Sequence, residues 1–283
     1  TFGHGVENNE TFVYKYQMSL SEKNADKKIL AINTGVPGYS AMQEYFEFKK
    51  ALKFRPDVAV IQFTLNDVTE PYFFQRNLGG TGIDYHKVAD VPFWHFYLSQ
   101  HSSFYLFLLD TSKWIKFGST NKTIVQDIAK NDEAVSSYEL IINPNSQNVN
   151  KEWATYFYWM QKITDICHEN AISCYVMISP YSFQLERPQA DDFPQKRILE
   201  FAKQNNIIAI DILSILREKY VQILSSQYNL PFDTSYEYII QNHHDDIRLL
   251  NDTYFLDSDH YTPVGHDFVK NELLKIVNNF SNM

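Results

Sequence analysis

Near the C-terminus, Asp257-Ser258-Asp259-His260 brings an aspartate and a histidine within three residues of each other. On one loop, Asp257 can turn toward the ring of His260. It would accept a hydrogen bond from one ring nitrogen and leave the other as a general base for a hydroxyl. A capping aspartate beside a surface histidine is the plainer reading of the same run. Asn66-Asp67 directly follows the apolar run 57–63. An asparagine amide at a strand end can donate to a developing oxyanion. The pair is equally suited to a turn, where such side chains bond their own backbone. Gly38 closes Gly35-Val36-Pro37-Gly38, just ahead of a helix start. Unpaired N–H groups and the positive end of the helix dipole favour an anion there, although Gly-Pro turns before helices are common without any function. His243-His244-Asp245-Asp246 offers metal-ligating side chains, but adjacent residues seldom converge on one ion, so the run reads as a solvated loop. Cys167 and Cys174 fit neither a zinc site nor a Cys-x-x-Cys motif. They read as two small buried hydrophobes, with a bridge from a helix end to the next strand as the alternative.

The elements that must position these residues alternate between strand and helix. Residues 29–33 form a short apolar run before the glycine turn. Ser40 and Gln43 make a capping-box pattern, followed by Met42, Tyr45, Phe46 and Leu52 at helical spacing. Residues 57–63 (DVAVIQF) predict a strand buried on both faces. Trp153, Tyr156, Phe157, Met160, Ile163 and Cys167 fall on one helical face, and 174–179 (CYVMIS) predicts the next strand. A helix over 194–205 and a strand over 207–212 follow. The last helix starts at the cap Thr262 with Pro263 at its first position and carries Val269, Leu273, Ile276, Val277 and Phe280. This order predicts an α/β fold with a parallel sheet and helices on both faces. Two stretches break the rhythm, 72–150, which is rich in aromatics, and 225–254. The reading is therefore one domain, 1–283, with insertions at about 72–150 and 225–254.

The 283 residues suffice for one large core. The net charge is −9, and no Lys/Arg cluster supplies the basic footprint of a nucleic-acid binder. No run of 18 apolar residues suggests a membrane span.

Taken together in chain order, the glycine turn at Gly38, the strand-end Asn66-Asp67 and the C-terminal Asp257-x-x-His260 resemble the SGNH/GDSL family of serine esterases and acyltransferases. Thr1-Phe2-Gly3-His4-Gly5 is similar to the end of the family's first block, Gly-Asp-Ser-x-Thr-Phe-Gly. Residues 33–40 (NTGVPGYS) are similar to the second block, Phe63-Thr64-Leu65-Asn66-Asp67 to the third, and 257–265 (DSDHYTPVG) to the fifth. The resemblance spans nearly the whole chain. It implies a three-layer α/β/α sandwich with a flavodoxin-like parallel sheet. It implies His260 as the base, Asp257 as its partner, and Gly38 and Asn66 as oxyanion-hole donors. It implies ester hydrolysis on a small-molecule, lipid or glycan ester, with O-acyl transfer to a polysaccharide or a catalytically silent glycan-binding module as alternatives. No metal or organic cofactor is implied, and an extracytoplasmic location, periplasmic or secreted, is. Thr64 departs from the family's usual glycine. The pattern puts the nucleophilic serine about two residues before Thr1 and the first, central strand before that, so the polypeptide is expected to extend upstream.

Overall fold

A computed structural model of the chain describes residues 3–23, 29–69 and 135–277. The chain divides into two compact units, Thr1–Glu70 with Ser136–Met283, and Pro71–Val135. Apart from Val135, the second unit lies outside the described residues, and with it residues 72–134 of the first expected insertion; its remainder, 135–150, is described and partly helical.

The first unit is mixed α/β. The helices α1 (Phe12–Lys23) and α2 (Ala41–Ala51) lead into strand β1 (Val58–Phe63). A short α3 (Glu139–Ile142) and the long α4 (Gln147–Glu169) precede β2 (Ser173–Ile178). Then come α5 (Phe193–Gln204), β3 (Ile208–Asp211) and α6 (Ile212–Tyr228). The chain finishes with α7 (Tyr236–Asn242), α8 (His244–Tyr254) and α9 (Pro263–Val277). The three strands pair in parallel, in the order β1-β2-β3. Phe63 is opposite Ile178 and Ile178 is opposite Asp211, so all three carboxyl ends share one edge.

Alternation along β2 sends side chains to both faces. Tyr175 and Met177 join Phe12, Leu213, Leu216, Ile247, Val269 and Leu273 in one core. On the opposite parity, Phe63 of β1 meets Trp153 and Tyr156 of α4 at ring separations of 5.9 and 5.2 Å. Each such side chain removed from water stabilises the unit by roughly 1.5–3 kcal/mol. Helices therefore cover the apolar residues of both faces.

Several expectations need correction. Residues 29–33 form no strand, and Leu30 and Ile32 are exposed. A strand needs a ladder partner, and among the described residues β1 pairs only with β2; the Ala31 amide donates instead to Gln17 Oε1, at 2.8 Å. Among the described residues β1 therefore has a partner on one side only, and it is only partly buried. On α2 the capping box is present, but Phe46 is exposed and Phe48 is the buried aromatic. Residues 225–254 are helical rather than irregular: they hold the end of α6, then α7, capped by Ser235, and α8. His243 to Asp246 form the start of α8 rather than a loop, with His243 as its cap residue. Cys167 and Cys174 are buried free thiols. Phe280 lies outside the described residues.

Candidate active site

The loop between α8 and α9 is closed by an antiparallel bridge from Phe255 to Tyr261 and by Leu256 N–H donating to His260 O at 2.7 Å. Inside it, the Asp257 carboxylate accepts from the amides of Asp259 (3.1 Å) and His260 (2.9 Å). This is the local turn chemistry that aspartate favours. Both carboxylate oxygens lie 2.9 and 2.8 Å from His260 Nδ1. Nδ1 therefore carries the proton toward Asp257, and Nε2 is left as the basic nitrogen. Partial burial pushes the Asp257 carboxyl up, but the two amides and the His260 ring outweigh it and hold it below its usual range. Asp259 stands farther off, 3.7 Å from Nδ1, and accepts from Ser258 Oγ at 2.8 Å. Asp257, Asp259 and His260 also form the one group of three cation-ligating side chains among the described residues. The oxygens of Asp257 are already committed to the ring and two amides, so the arrangement suits orientation of His260 better than ion binding.

This loop sits at the carboxyl edge of the sheet. Ser182 N–H, four residues past the end of β2, donates to Ser258 O at 2.6 Å. Ser179, at that strand's end, donates its amide to Phe63 O at 2.8 Å and accepts from Gln62 Nε2 at 2.9 Å. The ends of β1 and β2 and the histidine loop are thus joined by hydrogen bonds.

Asn66 comes just after β1 and is half-buried. The Thr64 hydroxyl donates to its Oδ1, which leaves Nδ2 to serve another acceptor. Asp67 is buried and accepts from the Thr64 amide at 2.7 Å, fixing the turn. Gly38 occupies the third position of a turn from Val36 to Tyr39, at φ 71°. Proline second and glycine third suit a type II turn, whose third residue needs this left-handed backbone. The Gly38 N–H has no hydrogen-bond partner among the described residues. Ser40, the cap of α2, follows two residues later. The structure thus couples Asp257 to His260 directly and sets Asn66 at the same sheet edge. Gly38 stands on the turn before α2, and among the described residues no hydrogen bond joins either donor to His260.

Close enough to Asp67 to feel its charge lies a buried acidic pair, Tyr156 and Glu44, that sequence reasoning missed. The Tyr156 hydroxyl is buried without a partner among the described residues. Burial pushes this phenol well above its usual range, and the nearby charges of Asp67 and Glu44 add to the rise. Burial also pushes the Glu44 carboxyl up to about 8. Its Oε2 is sealed from solvent and unpaired among the described residues, although the residue as a whole is only partly buried. Glu44 is a helix residue in an amphipathic stretch, and nothing in its spacing marks it.

No family model, curated protein or solved structure matches the chain. The site is therefore read from its own geometry. That geometry includes one more residue the sequence did not single out as functional: the His4 ring lies 4.5 Å, centroid to centroid, from that of His260.

Proposed function

We propose that this chain is a serine-dependent acyl hydrolase of the SGNH type, with the three-layer, flavodoxin-like α/β/α arrangement of that family. The observation that carries the reading is the Asp257–His260 pair, in which both carboxylate oxygens face Nδ1. A histidine held this way presents Nε2 as a base of fixed tautomer. The nucleophile in this reading is a serine that the family pattern puts two residues ahead of Thr1. His260 Nε2 removes the serine hydroxyl proton as Oγ attacks the ester carbonyl carbon. The carbonyl electron pair moves onto oxygen, where the Asn66 amide and the Gly38 N–H stabilise it. Collapse expels the alcohol, which takes the proton from His260, and leaves an acyl-enzyme. Water, activated in turn by His260, releases the acid. A sugar hydroxyl in place of that water would give O-acyl transfer with the same residues.

The test is hydrolysis of p-nitrophenyl acetate, with fluorophosphonate labelling, by protein that includes the residues preceding Thr1. His260→Ala should lower kcat by at least about 10⁴-fold. Asn66→Ala should lower it by about 10²–10³-fold. Residues 1–283 alone should form no adduct. Equal turnover by wild type and His260→Ala, or an unlabelled protein that binds glycans without cleaving esters, would overturn the reading.

A further inference from the structure

We infer that His4 is a positioning residue for His260, an inference that rests on the acyl-hydrolase reading. Asp257 grips the His260 ring at one edge only. A ring held at Nδ1 can still rock about that hydrogen-bonded axis, and His260 is open enough to do so, with its side chain 38% exposed. The ring of His4, tilted by 40°, lies against it at a centroid separation of 4.5 Å. This second contact limits the rocking and keeps water from that side. The direction of the Nε2 lone pair is then set by two contacts instead of one.

The backbone around His4 is built to hold this contact. Gly3 and Gly5 flank it at φ 85° and 78°, a conformation that side chains other than glycine's disfavour. The turn is closed by Val6 N–H donating to Gly3 O at 3.3 Å. A Cβ on Gly3 would come within 2.5 Å of Thr11 Cγ2. A Cβ on Gly5 would come within 2.7 Å of Leu256 Cδ1. Leu256 belongs to the histidine loop itself, since its amide donates to His260 O. The glycine turn therefore packs directly on the loop that carries the base. Farther along, α1 is fastened to the start of α9: the Phe12 amide donates to His266 Nδ1 at 3.2 Å, and Lys15 Nζ donates to Asp267 at 2.9 Å and to Pro263 O at 3.2 Å. Since α9 follows the His260 loop directly, these bonds hold the two segments in fixed register.

This role needs a flat ring at position 4 and does not need its charge. The protein with its upstream residues is compared with His4→Ala and His4→Phe by two readouts. The first is the rate at which diethyl pyrocarbonate modifies His260, followed by peptide mass spectrometry; it requires no turnover. In His4→Ala that rate should rise several-fold, and in His4→Phe it should return toward the wild-type value. The second is p-nitrophenyl acetate kinetics. His4→Ala should lower kcat roughly tenfold or more with KM little changed, as misorientation of a reacting group does, and His4→Phe should rescue it. Unchanged His260 modification in His4→Ala overturns the inference. So does a His4→Phe protein as impaired as His4→Ala, because the imidazole and not the ring contact would then be required. If the wild-type protein cleaves no ester, the acyl-hydrolase reading fails while the modification rates still decide whether His4 shields His260.

Discussion

A carboxyl group sealed from water with an unpaired oxygen, as in Glu44, is held protonated because its charged form would lose hydration without a compensating bond. Its pKa is pushed up to about 8 from an ordinary value of 4.5. Below about 4.5 the folded and unfolded chains are both protonated there. Between 4.5 and 8 the folded chain retains a proton that the unfolded chain has lost, so the stability from this group falls as pH rises. Glu44→Gln keeps the shape and removes the titration. The variant should be close to wild type near pH 4.5 and more stable by pH 8, by something of the order of a few kcal/mol. Urea unfolding at the two pH values measures this, and a difference that does not grow with pH would contradict it. Asn66 shows the opposite case, a polar side chain with part of its bonding satisfied. Thr64 occupies its Oδ1, and only the donating end remains for a ligand.

At the scale of elements, His266 joins α1 to the first turns of α9. It is 3% exposed and accepts the Phe12 amide at Nδ1. Burial, with the charge of Lys15 nearby, lowers its pKa to about 4, against a smaller opposing effect of Asp267. Above about 6.5 the ring is neutral in both states. As pH falls from 6.5 toward 4 the unfolded chain takes up a proton that the folded chain refuses, so stability is lost across that window, about 3 kcal/mol in all. His266→Gln should flatten this part of the melting temperature's pH dependence; an equally steep fall in the variant would show that other groups are responsible. What the sequence reveals about such elements depends on how local their determinants are. The Ser40–Gln43 box and the Thr262–Pro263 start each lie within one turn, and both are readable from residue types. Asp257 and His260 are neighbours in the same sense. The run 29–33 has the apolar residues of a strand, but a strand also requires a partner that composition cannot supply. The helices of 225–254 were missed because α7 and α8 are short and meet at His243, so neither presents a long stripe. The His4–His260 contact joins opposite ends of the chain, and no spacing rule reaches that far.

At the scale of the whole molecule, residues 71–135 form a unit of their own, set into the chain of the first. The two points where the first unit's chain leaves and returns are close together, with Thr69 Oγ1 and Ser137 Oγ 3.4 Å apart. A flexible bridge of about four glycine and serine residues can span such a gap. Replacing a long connection by a short one also reduces the entropy lost on closing it. The core of the first unit includes α1, α6, α8 and α9 together with β2 and β3, all outside the excised segment. A protein with 71–135 replaced by that bridge should therefore fold and melt cooperatively, and its urea m-value should fall because less surface is exposed on unfolding. Under the acyl-hydrolase reading the excision also separates two contributions to activity. The groups assigned to chemistry, Asp257, His260, Asn66 and Gly38, all belong to the first unit. In excised protein that includes the residues preceding Thr1, cleavage of p-nitrophenyl acetate should persist, since a small ester draws little binding energy from distant surfaces. Cleavage of an acetylated oligosaccharide should fall much further if the aromatic-rich segment supplies contacts to a bulky substrate. Equal losses on both esters would mean that the segment supports the fold of the site and not its selectivity, and a protein that aggregates without a cooperative melt would mean that the first unit cannot stand alone.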